Sequence, residues 1–235
     1  MVAGDMYIIH THGTATDPDV PYAPETRSGD AGVVGRKPSC RGPSGLSVVP
    51  VTTVDNTAYR YRTAVPEDTE AIEALDGSFT TDTVFQVTVT DDGFSLREIA
   101  VDPPLTKVFP EDEYDGEDGD DGDSRTFVAH GAAGDLAGFV AVSYSGWNRR
   151  LTIEDIEVAP EHRGRGVGRA LMGLAVEFAR ERGAQHLWLE VTTVNAPAIH
   201  AYRRMGFAFC GLDITLYDGT PSEGEQAVYM SMPCP

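Results

Sequence analysis

The run His162-Arg163-Gly164-Arg165-Gly166-Val167-Gly168-Arg169 interleaves arginines with glycines. It follows an alternating apolar stretch, Leu151 to Val158, and opens a helical pattern from Gly168 to Arg182. A strand that breaks into a Gly-rich turn and then a helix presents backbone N–H groups at the positive end of the helix dipole, which attracts anions. Gly164, Gly166 and Gly168 let the main chain approach a bulky diphosphate and tolerate positive φ. Arg163, Arg165 and Arg169 add charge at the same place, with Val167 between them. This pattern predicts a pyrophosphate cradle.

Two better-known phosphate motifs are absent. No Gly-x-x-x-x-Gly-Lys-Ser/Thr run occurs. Gly164-x-Gly166-x-Gly168 also lacks the spacing of the dinucleotide fingerprint. Arg163-x-x-Gly166-x-Gly168 instead resembles the acetyl-CoA signature of the GNAT N-acetyltransferase superfamily. Alone, it would equally describe a Gly-rich turn that binds nothing.

The flanking segments carry the resemblance further. They are Leu187-Trp188-Leu189-Glu190-Val191, then Asn195-Ala196-Pro197-Ala198-Ile199, then Tyr202-Arg203-Arg204-Met205-Gly206-Phe207. In GNAT enzymes a strand ending before an Asn, followed by a helix that holds a Tyr and ends in Gly-Phe, forms the thioester side of the site. Leu151 to Phe207 is similar throughout. The resemblance implies a mixed α/β (α+β) fold with a central mixed sheet and helices on both faces.

From about Thr52 to Pro235 the chain also resembles the streptothricin (nourseothricin) acetyltransferases. The runs that carry this likeness are Tyr59 to Thr63, Glu70 to Asp82 and Ser143 to Arg150. Those enzymes start near Val51, so residues 1–50 are expected to be an over-long gene start, since a valine codon can initiate translation.

The implied reaction moves an acetyl group from acetyl-CoA to the β-amino group of the β-lysine side chain of streptothricin, which confers resistance. The amine must lose a proton, the thioester oxyanion needs donors, and the departing thiolate takes up a proton. Direct transfer requires no Ser or Cys nucleophile, and no triad signature is present. The resemblance makes Tyr202 the acid and places it with Asn195 beside the CoA thiol. Two carboxylates compete for the base. Glu190 has the offset from the tyrosine seen in some ribosomal-protein N-acetyltransferases, and Glu154 shares strand parity with Ile156 and Val158. Glu190 is preferred. Alternatively Glu154, Asp155, Glu157 and Glu190 merely form an anionic pocket for a cation.

Ile156, Glu157 and Val158 are expected to offer main-chain groups to the pantetheine arm. Tyr144 and Trp147 either line the acceptor pocket, where aromatic faces favour a cationic amine by roughly 0.5–2 kcal/mol, or simply pack. The alternatives to the main reading are a protein N-terminal acetyltransferase of the ribosomal-protein type and a non-catalytic CoA sensor.

Composition agrees with a small cationic acceptor. The chain has 235 residues, 41% of them apolar, and a net charge of -19 from 37 acids and 18 bases. Nucleic-acid binding calls for a basic face, so none is expected. Cys40, Cys210 and Cys234 lack metal-ligand spacing and fit a reducing compartment. With no signal peptide or membrane-length apolar window, a cytoplasmic protein without a metal or membrane partner is expected. Dimers are common in the superfamily, which leaves a homodimer open.

The elements that must position these residues read as follows. Residues 1–50 are rich in Gly, Pro, Ser and Thr and are expected to be disordered; the domain is expected over 51–235. Tyr59 to Thr63 alternates as a strand, and Pro66 opens a helix with Ile72 and Leu75 inside and Gly77 at its end. Val84 to Thr90 and Phe94 to Val101 flank Asp91-Asp92-Gly93 as a hairpin. Glu111 to Asp123 holds nine acids and no base, but not the EF-hand pattern, and reads as a solvated loop. Thr126 to Ala129 and Leu136 to Tyr144 form a second hairpin. Leu171, Leu174, Ala175, Phe178 and Ala179 make a core-facing stripe, with Gly183 as cap. After the strand Leu187 to Val191 come a helix, Ala198 to Met205, and final strands Phe207 to Leu212 and Val228 to Met232. His162 and His200 are expected at the surface.

Overall fold

Alternating apolar runs become strands, and the runs of helical spacing cross between them. The computed structural model describes residues 54–56, 58–109 and 123–234. The proposed extension, residues 1–50, and the acidic run apart from Asp123 lie outside the described residues. In chain order the elements are β1 (Val54–Asn56), β2 (Tyr59–Thr63), α1 (Thr69–Glu73), β3 (Phe79–Thr90), β4 (Gly93–Lys107), β5 (Ser124–Gly131), β6 (Leu136–Ser145), β7 (Arg150–Val158), α2 (Val167–Arg182), β8 (His186–Thr192), α3 (Ala196–Met205), β9 (Ala208–Asp213) and β10 (Ala227–Pro233).

Among the described residues one sheet has the order β1-β2-β5-β6-β7-β8-β10-β9, and β3 with β4 makes a separate ribbon. Within the large sheet β7 and β8 run parallel, whereas β6–β7 and β8–β10 are antiparallel. The parallel pair needs a crossover, and α2 supplies it.

The expected stripe of α2 is buried: Leu171, Leu174, Ala175, Phe178 and Ala179 all join the core. Burying each large apolar side chain is worth about 1.5–3 kcal/mol. Phe178 meets Phe127 of β5 edge-on at 6.3 Å, and the Arg125 guanidinium lies 4.5 Å from its centroid. Gly183 ends the helix at φ 69°, a left-handed cap that glycine adopts without strain.

Two elements differ most from the sequence reading. The helix expected from Pro66 to Gly77 is a 3-10 turn at Pro66–Asp68 followed only by α1, so Gly77 is not its cap. Ile72 and Leu75 are only half-buried, and with little apolar surface to cover, tertiary packing does not extend the helix. The β3–β4 ribbon is longer than expected. It is fastened to the body where Phe85 N–H donates to the Thr193 carbonyl at 2.9 Å.

Candidate active site

Strands β7 and β8 begin side by side, with Arg150 opposite His186, Leu151 opposite Leu187 and Thr152 opposite Trp188. The ladder ends there, although β7 continues to Val158 and β8 to Thr192. The cause lies in β7. Its register against β6 steps from Ile153↔Val142 to Asp155↔Ala141, leaving Glu154 as an extra residue. Such a bulge bends and twists its strand, and the neighbouring ladder stops at the same level. The two strands part into a wedge, and Ile156, Glu157 and Val158 lie along its β7 edge.

The bulge also overturns the expected strand parity. Ile156 pairs with Val140 and Ile153 with Val142, so both isoleucines share the core-facing side. Glu154 does not share parity with Ile156 and Val158; it lies on the other side with Asp155 and Glu157. Counting alternate residues from the sequence misses the extra position.

At the C-terminal end of β7 the chain makes a 3-10 turn, Pro160–His162, then passes Gly164 at φ 72° and Gly166 at φ 86° into α2. Gly166 is the N-cap, and a Cβ built on it would meet nothing within 4 Å. Open space therefore lies before the first N–H groups of α2, which no helix can satisfy internally. Val167 and Gly168 are buried, and Arg165 and Arg169 are exposed beside that space. These residues fit a diphosphate.

Arg163 has a different task. Its Nε donates to the Val158 carbonyl at 2.9 Å, and its two terminal nitrogens donate to the carbonyls of Ser78 and Asp76 at 2.8 and 3.2 Å. The guanidinium braces the α1–β3 turn against the end of β7 instead of adding charge to the cradle. His162 is buried, not on the surface, because its ring lies between Tyr59 Oη at 3.2 Å and Asp135 Oδ2 at 2.6 Å. His200 is half-exposed and meets Glu98 at 2.8 Å.

Deeper along the wedge stand the carboxylates. Glu190 is 3% exposed, and burial pushes its carboxyl up to about 8 against a hydrogen bond from Tyr217, with Glu225 adding to the rise. Burial likewise raises Glu157, the Arg163 charge opposing it and Asp76 reinforcing it. Tyr202 is wholly buried, and burial together with the charges of Asp155 and Glu190 holds its phenol protonated. Asp155, Glu190 and Tyr202 thus share one locality, drawn from β7, β8 and α3. Glu154 is half-buried and accepts a hydrogen bond from the Ser143 hydroxyl. Asn195 caps α3, its Oδ1 accepting from Ala198 N–H at 3.1 Å.

Residues 94–207 match the acetyltransferase (GNAT) family. The chain is 71% identical over 189 residues to a streptothricin acetyltransferase of Streptomyces lavendulae, spanning 79% of this chain and 100% of that protein. The chain belongs to the GNAT family. It is an acyltransferase of that family by this relationship. The crystal structure of a nourseothricin acetyltransferase is similar with a TM-score of 0.71 and 80% identity, covering 76% of this chain and 100% of that one. A crystal structure of a Bacillus anthracis strain Ames protein in complex with acetyl coenzyme A shares the fold, with a TM-score of 0.62 and 24% identity over 74% of this chain and 97% of that one.

Within this GNAT chain two expected acceptor residues fall elsewhere. Trp147 is 89% exposed at the tip between β6 and β7, at the opposite end of β7 from the cradle. Tyr144 pairs with Leu151 and packs against the core, so it faces away from the carboxylate side. Of the two readings left open for these aromatics, packing suits Tyr144, and Trp147 stands at the surface. An open cleft of about 550 Å³ does lie beside α3, lined in part by Asp82, Thr83 and Glu98 of the ribbon and by Pro197 and His200 of the helix.

Tyr217 is the site residue that the sequence reading missed. It belongs to a turn-rich segment between β9 and β10, yet it is buried and its hydroxyl donates to Glu190 Oε1. No periodicity or motif marks it. Its only signal is an aromatic residue just before an Asp-Gly turn, in Leu216-Tyr217-Asp218-Gly219.

Proposed function

We propose that this GNAT enzyme transfers the acetyl group of acetyl-CoA to the β-amino group of the β-lysine side chain of a streptothricin-type antibiotic. The observation that carries the reading is the wedge, which has an anion cradle at one end and a buried carboxylate–phenol locality at the other. The likeness to the Streptomyces lavendulae enzyme over its whole length supports the choice of acceptor.

Acetyl-CoA supplies the activated acyl thioester. Arg165, Gly166, Val167, Gly168 and Arg169 would hold its diphosphate through charge and free N–H groups. The β7 edge at Ile156–Val158 would take the pantetheine arm by strand-like pairing. Glu190 receives the proton that leaves the acceptor ammonium. A carboxyl raised to about 8 is a stronger base than an exposed one once it has ionised, so it suits that transfer increasingly as pH rises toward and past that value. Tyr202, which burial keeps protonated, supplies a proton from Oη to the leaving sulfur. Asp155 adds negative charge that favours a cationic acceptor. The low polarity around Glu190 and Tyr202 strengthens each of these interactions.

The test is direct. The purified protein is incubated with acetyl-CoA and either streptothricin or an N-terminal ribosomal-protein peptide, and the products are weighed. Mono-acetylated streptothricin with the β-lysine moiety modified is expected. An acetylated peptide with untouched streptothricin would replace this reading with the protein-modifying alternative.

A further inference from the structure

We propose that Tyr217 is a positioning residue for the acetyl transfer, holding the Glu190 carboxylate in place through its hydroxyl while Glu225 and Lys107 fix the segment that carries it. This rests on the function proposed above and assigns a task to a segment outside the family's matched region.

The Tyr217 hydroxyl donates to Glu190 Oε1 in a buried setting. The tyrosine is held from behind, since its carbonyl accepts from Thr220 N–H at 3.1 Å and from Thr220 Oγ1 at 2.7 Å. The same segment ends at Glu225, whose Oε1 meets Lys107 Nζ at 2.5 Å and whose Oε2 accepts from Thr192 Oγ1 at 2.6 Å. Lys107 also donates to Ser222 Oγ at 2.8 Å. Lys107 is the last residue of β4 and Thr192 the last of β8. The segment is therefore clamped between the ribbon and the strand that carries Glu190.

A buried carboxylate with one fixed donor keeps a single rotamer, and a base aimed at one atom needs that restriction. The phenol is suited to the task because burial and the nearby Glu190 raise its own ionisation far out of range, so it always donates. The groups acting on Glu190 from neighbouring elements are Tyr217 and Glu225 of this segment, Tyr202 of α3 and Tyr229 of β10; Asp155 of β7 acts on Tyr202. Among the described residues, Tyr217 is the donor to its carboxylate. Removing that donor disfavours the carboxylate, and the group then ionises at higher pH.

The experiment measures kcat/KM for streptothricin against pH in the full-length wild type, Tyr217→Phe, Glu190→Gln and the double variant. In Tyr217→Phe the acid limb should move upward by about one pH unit, with a roughly tenfold loss at neutral pH that recovers at high pH. The same substitution should change the Glu190→Gln enzyme by less than about twofold, since it acts through Glu190. A loss that is uniform across pH, no loss at all, or a full loss in the Glu190→Gln background overturns the proposal. Should Tyr217→Phe fail to fold, Lys107→Met reads the same clamp. It leaves the Glu225 charge uncompensated and should move the limb upward too, and an unmoved limb overturns the proposal. Wild-type turnover of streptothricin tests the underlying reading separately.

Discussion

Ile153 and Ile156 point to the same side of β7, although simple alternation would set them on opposite sides. The extra residue between them is Glu154, and it does two things. It keeps the apolar pattern on the core face through the bend, and it ends the ladder to β8.

Deleting Glu154 should separate these effects. The shortened strand would read Leu151, Thr152, Ile153, Asp155, Ile156, with perfect alternation and the core face intact. The wedge, however, would lose the bend that opens it. The deletion variant should therefore fold, with a circular dichroism spectrum like that of the wild type, and lose acetyl-CoA affinity at least tenfold in calorimetry. Unchanged affinity in a folded variant would show that the bulge does not open the site.

Arg163 and Arg169 lie in one run of sequence but face different partners. Arg163→Ala removes three charge-assisted bonds to main-chain carbonyls. It should lower stability by about 1–3 kcal/mol and lower the melting temperature by several degrees. Arg169→Ala touches an exposed side chain and should leave stability within about 0.5 kcal/mol while weakening acetyl-CoA severalfold. The reverse pattern in thermal melts and titrations would return Arg163 to the cradle.

The contrast shows what the sequence can and cannot say. Strand–glycine–helix order and the α2 stripe were legible because their periodicities are local. Tyr202, Asn195 and Glu190 were legible as a family pattern; Tyr202 and Glu190 share one locality, and Asn195 caps α3. The bulge was not legible, because it shows only in the register against β6. Nor was the fate of Arg163, whose acceptors at Asp76, Ser78 and Val158 come from distant segments. Tyr144 and Trp147 offer aromatic faces to a cationic amine in sequence terms, but which face and which end of the sheet they occupy are tertiary facts. Tyr217 reaches Glu190 by a turn path that no spacing rule describes.

Tyr202 supplies a prediction about chemistry without much change in packing. Its ring is fully buried and meets Phe207 at 5.9 Å. Tyr202→Phe keeps that contact and removes only the hydroxyl. Turnover should fall by about 10²-fold, in the range for loss of a general acid, with acceptor KM changed less than about threefold. Steady-state kinetics decide it, and undiminished kcat would remove Tyr202 from the proton path.

Glu190 carries a thermodynamic signature of its placement. Its carboxyl is raised from 4.5 to about 8 in the folded protein, chiefly by burial. In the unfolded chain it loses its proton near the ordinary value, so between about pH 4.5 and 8 the unfolded state binds fewer protons than the folded one. Stability therefore falls as pH rises through that window. Glu190→Gln cannot ionise and still offers an acceptor to Tyr217, so it escapes this loss. The variant should melt higher than the wild type at about pH 8.5, by an amount on the order of a few kcal/mol at most, and close to it at about pH 5. Glu157 is shifted the same way, but it is present in both proteins and cancels in the comparison. The same substitution should cost about 10²–10⁴ in kcat, so activity and stability move in opposite directions. Melting curves of the two proteins that stay equally spaced from pH 5 to 9 would mean that Glu190 ionises normally and is no base held in reserve.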